Sequence, residues 1–324
     1  MDFHFKGLPQ LLKRFPDDAS AREFLEAQRW EGSPFCPFCD CDKWYKLGDN
    51  KTYKCGNRKC HKKYSATVGT VMHSSHIPLN LWFAAMYLMS AHKKGISSHQ
   101  LARDLGITQK SAWHMLHRIR EMYRVKEPVK LKGVIEVDET YMSRKFHSEN
   151  KPPDFDFTPS WPNIKDKGCV FGMVQRKGKV IVKVFETNKG QDIRAAIKNN
   201  VEKNSFVFTD GSYLYKQGLD RYKMDNVVHS KREYVKGDVH TNNIENFWGV
   251  MKRGIYGTYH QVSFKHLQRY CDEFSFRYNS RDQQDNNRFS LSLTKSEGRL
   301  KYKELISNEP KQKETYPKEE TEWD

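Results

Sequence analysis

Three acidic residues stand in settings from which a phosphodiester-cleaving metal site could be built. They are Asp138 in Val-Ile-Glu-Val-Asp-Glu-Thr, Asp210 in Phe-Val-Phe-Thr-Asp-Gly-Ser, and Glu245 in His-Thr-Asn-Asn-Ile-Glu-Asn-Phe-Trp. Asp138 and Asp210 each close a short β-branched or aromatic run of the kind that forms a buried strand. Glu245 opens a segment with helical spacing, Ile244, Phe247, Trp248, Met251 and Ile255. Two strand ends and a helix should therefore converge. Carboxylates at such places are costly to bury unpaired, and hard divalent cations bind carboxylate oxygens. Two Mg²⁺ ions about 4 Å apart, with Mn²⁺ as a substitute, would activate a water or hydroxyl and stabilise the leaving oxygen of a phosphodiester. Lys252 follows Glu245 by two helical turns and shares its face, so its charge could hold a phosphate; alone, a lysine at that spacing is an ordinary solvated residue.

Neighbouring groups are weighed beside these. Glu136 shares the strand face of Asp138 and Glu139 points the other way, and both are read as supporting positions. Asp238 and His240 precede the Glu245 helix and could cap it or touch DNA, and His229 could position a phosphate or water.

A second chemistry is carried by cysteine. Cys36-Pro-Phe-Cys39 and Cys55-Gly-Asn-Arg-Lys-Cys60 flank a short β-rich stretch with Trp44 and Tyr53. Two such pairs read as a zinc ribbon, in which four thiolates hold one structural Zn²⁺ and stand in for a core that some forty residues cannot build. Cys41 lies close enough to compete as a ligand. Cys169 and Cys271 sit in apolar contexts and read as small buried hydrophobes.

These sites need a frame and a reader. Residues 76–128 are helical in pattern: Ser97 or Ser98 and Thr108 can cap two short helices, Gly106 permits a tight turn, and Ala102 with Ala112 lets the helices cross closely. This is a helix-turn-helix pattern, with a plain helical hairpin as the alternative. In it Gln109, Lys110, Trp113 and His114 begin the helix that meets base edges. Residues 51–130 hold 15 Lys/Arg against 3 Asp/Glu, so +12 of the formal net charge of +16 lies in a quarter of the chain. A block of that kind is the electrostatic footprint of a nucleic-acid-binding module.

The expected organisation is a helical segment over 1–33, in which Asp18 to Trp30 forms an amphipathic helix, a zinc ribbon over 34–75, and the helix-turn-helix over 76–128. A catalytic domain over 131–305 and a charged, disordered tail over 306–324 follow. Within 131–305 the order is the Asp138 strand, a polar insertion at 143–167, a hairpin turning at 176–179, a helix from Gln191 to Lys203, and a strand ending at Asp210. Three strands, a helix and a fourth strand open an α/β domain of ribonuclease-H-like type. No run of about 20 apolar residues spans a bilayer and the amino terminus lacks a signal-peptide core. The expected place is therefore the cytoplasm, at the nucleoid, with no membrane partner and no small-molecule substrate.

At these motifs the chain resembles the DDE transposases of bacterial insertion sequences, in the zinc-ribbon group similar to the eukaryotic Merlin transposases. The likeness spans roughly residues 15–305. It is most specific over His240 to His260 and His266 to Asn279. The resemblance places the third acid on Glu245 and the trailing lysine on Lys252. It implies binding to the element's terminal inverted repeats, Mg²⁺-dependent cleavage of double-stranded DNA at the ends, and joining of the freed 3′-hydroxyls to target DNA. Bridging two ends needs a homodimer or higher assembly. Two other readings compete: a DNA-binding regulator with an idle catalytic domain, and a structure-specific nuclease that cuts but never joins.

Overall fold

The computed structural model describes residues 5–124, 129–144, 167–210, 215, 218–227 and 235–307. Residues 125–128, most of the 143–167 insertion, His229 and the tail beyond 307 lie outside the described residues.

The catalytic half is built on a five-stranded sheet. Its strands are β4 (Val134–Arg144), β5 (Lys167–Gln175), β6 (Val180–Phe185), β7 (Phe206–Thr209) and β8 (Lys223–Asn226), in the spatial order β6-β5-β4-β7-β8. β4, β5 and β6 pair antiparallel, whereas β7 runs parallel to β4 and β8 parallel to β7. That mixed order, with helices on both faces, is the ribonuclease-H-like arrangement expected. Helix α6 (Gly190–Asn200) covers one face through Ile193 and Ile197. Helices α7 (Asn242–Gly254) and α8 (Phe264–Asn279) cover the other through Ile244, Trp248, Leu267 and Cys271.

Two expectations are corrected here, and one strand was not foreseen. Asp138 does not end its strand: β4 continues six residues further, because its pairing with β5 extends to Arg144 while that with β7 stops at Glu136. Helix α6 stops at Asn200 rather than Lys203, since Val201 bridges Leu131 and the Asn200 carbonyl accepts from the Leu131 amide. The edge strand β8, Lys-Met-Asp-Asn, has no apolar pattern and is held by main-chain pairing to β7.

In the amino-terminal half, α1 (Leu8–Arg14) and α2 (Asp18–Trp30) precede a three-stranded sheet of β1 (Trp44–Lys46), β2 (Tyr53–Cys55) and β3 (Lys63–Tyr64). The α2 bounds are those expected, and the reciprocal Asp17/Ser20 capping box starts it. Helix α3 (Leu79–Ala91) is nearly all buried, and α4 (Ser98–Leu105) joins α5 (Gln109–Met122) through Gly106 in the left-handed region. Ser97 and Thr108 cap the two.

The halves are not separate cores. Phe276 on α8, with Phe289 and Leu293 on α9 (Asp285–Thr294), joins the same apolar cluster as Phe83, Leu116 and Ile119. Beneath it, Glu273 is fully buried between Arg120, whose Nε donates at 2.6 Å, and Arg277. No helix among the described residues is long and apolar enough to cross a membrane.

Candidate active site and nucleic-acid interface

The parallel register of β4 and β7 does the first piece of positioning. Glu136 pairs with Phe208, so two residues on, Asp138 comes alongside Asp210, the first residue after β7. Burial first, and then the neighbouring Asp210 and Glu139, push the Asp138 carboxyl up to about 7. Against that pull, Trp248 donates its indole N–H to Asp138 Oδ2 at 2.9 Å. A carboxyl held at that level by burial and like charges suits a cation, which would return it to the ionised form.

Helix α7 carries the third acid. It lies directly on the sheet because Gly172 faces Asp138 across β4 and β5; a Cβ there would come within 2.7 Å of Ile244 and Trp248. Glu245 lies one turn before Trp248 and accepts from the Thr241 hydroxyl at 2.9 Å. Lys252 is in the last turn, half-buried. Asp138 and Asp210 are thus brought together, while Glu245 is exposed on α7, three residues before the Trp248 that reaches Asp138. Among the described residues no three carboxylates approach within 4.8 Å of one another.

Sequence reasoning undervalued the groups around these acids. Glu136 is fully buried and receives hydrogen bonds from Arg176 Nε at 2.7 Å, Asn243 N–H at 2.8 Å and Asn243 Nδ2 at 2.7 Å. His240 and Asp238 serve this cluster: His240 Nδ1 is 3.3 Å from Glu136, and Arg176 donates to both residues' carbonyls. Glu139, on the opposite face as expected, accepts from the Tyr215 hydroxyl, and burial raises its carboxyl. The alternation of β4 pointed to the Glu136 face, but nothing in the chain announces a partner 107 residues away.

In the ribbon the sulfurs of Cys36, Cys39, Cys55 and Cys60 all lie within 4.8 Å of one another. Four sulfurs at about 2.3 Å from one ion in a tetrahedron stand about 3.8 Å apart. The separations of Cys36 from Cys60 and of Cys39 from Cys55 are 3.8 and 3.6 Å, so the quartet fits zinc. Cys41 is outside it, with Sγ 3.8 Å from the Lys43 carbonyl.

The basic region divides into two surfaces. At the start of α5, Gln109 and Lys110 are exposed; Gln109 donates to Ser98 Oγ at 2.9 Å and Lys110 lies over the Tyr302 ring. Trp113 and His114, expected beside them, are half-buried against Tyr302, and Trp113 also meets His117 and His266. The second surface was not foreseen. Tyr45, 66% exposed, pairs with Lys54, which pairs with Lys63, forming one row across the outer face of the ribbon sheet. Its inner face, Tyr53 and Tyr64, packs on Trp30.

Two transposase domains match along the chain. Residues 130–279 match the ISXO2-like transposase domain and residues 16–63 the transposase zinc-ribbon domain. A Halobacterium salinarum protein, described as an uncharacterized protein in transposable element ISH50, is 25% identical over 277 residues, covering 82% of this chain and 92% of the relative. Among solved structures, the Mos1 strand transfer complex overlaps at a TM-score of 0.27 and 11% identity, over 67% of this chain and 78% of that one. A simian T-cell lymphotropic virus intasome in complex with PP2A regulatory subunit B56 gamma overlaps at 0.26 and 12%, and the match spans 61% of this chain and 63% of that one. With the two domains together spanning more than half of its length, the chain belongs to the zinc-ribbon-bearing DDE transposases of insertion sequences.

Proposed function

We propose that this transposase binds the terminal inverted repeats of its element, hydrolyses DNA at those ends and joins the freed 3′-hydroxyls to target DNA. In this reading Asp138, Asp210 and Glu245 hold two Mg²⁺ ions, Mn²⁺ serving as a substitute. The observation that carries it is the pair of carboxyls, Asp138 and Asp210, set side by side by parallel strands, with Asp138 pushed up by burial and then by the neighbouring Asp210. Bound cations would supply activation of the attacking oxygen and relief of charge on the leaving one.

The chain's own groups orient the reaction. Trp248 fixes one oxygen of Asp138. Lys252 steadies a DNA phosphate beside the acids. Gln109 and Lys110 face the base edges of the element end, Trp113 and His114 hold α5 in place, and the Tyr45, Lys54 and Lys63 row grips the backbone. Cys36, Cys39, Cys55 and Cys60 bind the structural Zn²⁺. Two ends must be held at once, so the active form is a homodimer or larger, working at the nucleoid.

A strand-transfer assay with a labelled element end and a plasmid target tests the whole. Asp138→Asn, Asp210→Asn and Glu245→Gln should each lower cleavage and joining together by on the order of a thousandfold, with end binding kept. Glu186→Ala, at an exposed acid on the same domain, should change neither. Cleavage that survives in all three variants would sink the assignment.

A further inference from the structure

Helix α7 is not capped by its own N-cap residue. Its N-cap residue, Thr241, makes no side-chain cap hydrogen bond and spends its hydroxyl on Glu245. The exposed amides of the first turn are met instead by Glu136 of strand β4. Glu136 Oε2 accepts from Asn243 N–H at 2.8 Å and from Ile244 N–H at 3.2 Å, and Oε1 accepts from Asn243 Nδ2 at 2.7 Å. Arg176 completes the arrangement from the end of β5. Its Nε donates to Glu136 Oε1, its other nitrogens reach the carbonyls of Asp238 and His240, and its guanidinium lies over the Phe208 ring.

Glu136 and Asp138 are consecutive residues on one face of one strand, and each is tied to α7. The first holds Asn243 and Ile244; the second holds Trp248. Glu245 lies between the two ties. A helix fixed at both points can neither slide nor turn about its axis without breaking a charge-assisted hydrogen bond in a buried setting. We infer that Glu136, with Arg176 and Asn243, is a positioning clamp that sets where Glu245 stands relative to Asp138 and Asp210. This inference rests on the metal-site reading above, but it assigns to Glu136 no contact with metal or DNA.

The test uses the full-length chain with Glu136→Gln, Glu136→Ala, Arg176→Ala and Asn243→Ala. Three quantities are read: Mn²⁺ affinity by electron paramagnetic resonance titration, the Mn²⁺ concentration giving half-maximal end cleavage, and amide exchange over residues 243–247. Loss of outer support for metal ligands typically weakens metal binding about tenfold or more, and the Glu136 variants should show that shift in both Mn²⁺ readouts. Exchange at 243–247 should quicken, end binding should hold within about twofold, and excess Mn²⁺ should restore part of the cleavage. Should Glu136→Ala fail to fold, the Arg176 and Asn243 variants, which open the clamp from its outer side, decide the matter through smaller shifts of the same sign. Folded variants whose exchange and Mn²⁺ affinity match the wild type would overturn the clamp. A wild type that binds Mn²⁺ but cuts no element end defeats the proposed reaction and leaves the clamp to be judged by exchange and affinity. One that binds no Mn²⁺ overturns both.

Discussion

Asp138 and Gly172 face each other across the β4/β5 ladder, and the missing side chain of Gly172 is what lets the indole of Trp248 descend to the Asp138 carboxylate. A methyl group at position 172 would sit 2.7 Å from Ile244 Cδ1 and from the indole ring. Helix α7 would have to lift. Gly172→Ala should therefore cost about 1–3 kcal/mol of stability by overpacking, and should reduce end cleavage more than tenfold by lengthening the Trp248 to Asp138 bond. Gly48→Ala, where an added Cβ meets nothing within 4 Å, is the comparison. Thermal melting and the cleavage assay, run on both, check it; equal behaviour would mean that α7 is not seated by this contact.

The raised Asp138 carboxyl makes a prediction about pH with a definite sign. For an acid whose native value lies above its ordinary one, here about 7 against 3.8, the native state keeps a proton that the unfolded chain has released. The resulting penalty is absent below about pH 4, grows as pH rises toward 7 and is constant above it. It amounts to on the order of a few kcal/mol at most. Asp272, also buried and raised to about 7, loses stability in the same window, so the informative quantity is the difference between variants. Without divalent metal, Asp138→Asn should gain on the wild type in melting temperature between pH 5 and 8, and Mg²⁺ should narrow the gap. Parallel melting curves would refute it.

The catalytic half was legible in the sequence wherever local pattern coincides with tertiary role. The β-branched runs before Asp138 and Asp210 marked strands because those strands are buried on both faces. What was missed depends on distant partners. Glu136 looked like a minor neighbour of Asp138, since alternation reveals its face but not the amides of Asn243 and Ile244 waiting there. Trp113 and His114 fit the start of a base-reading helix, and only the return of the chain at Tyr302 shows them covered. Strand β8 lacks an apolar pattern because its exposed edge asks nothing of its side chains.

The cysteine quartet yields a test in which one thiol is the odd one out. Zinc content should approach one ion per chain, and Cys36→Ser or Cys60→Ser should lose it, because a tetrahedral site with three sulfurs holds the ion far less well. Cys41→Ser should keep it, its Sγ being turned to the Lys43 carbonyl and not to the quartet. Because Trp30 packs on Tyr53 and Tyr64 from the ribbon, metal loss should also loosen α2, visible as faster amide exchange there. Loss of zinc from Cys41→Ser alone would reassign the ligands.

The two basic surfaces should fail in different ways when damaged. Lys54 and Lys63 are directly opposite on adjacent strands, an arrangement of like charges that is unfavourable in the free protein and that a polyanion would relieve. Neither has an ion-pair partner among the described residues. Replacing either with Ala should therefore weaken binding to element ends and to random DNA alike, and should lower the slope of log K against log salt by about 0.9 per lysine if each meets one phosphate. Gln109→Ala and Lys110→Ala, at the exposed start of α5, should instead narrow the preference for element ends over random DNA, since base-edge contacts carry the discrimination. Trp113→Ala belongs to neither class. Packed on His117, His266 and Tyr302, it should first lower the melting temperature of the protein. Salt titrations on both DNAs separate these outcomes, and an unchanged slope in Lys54→Ala and Lys63→Ala would remove the ribbon face from the DNA interface.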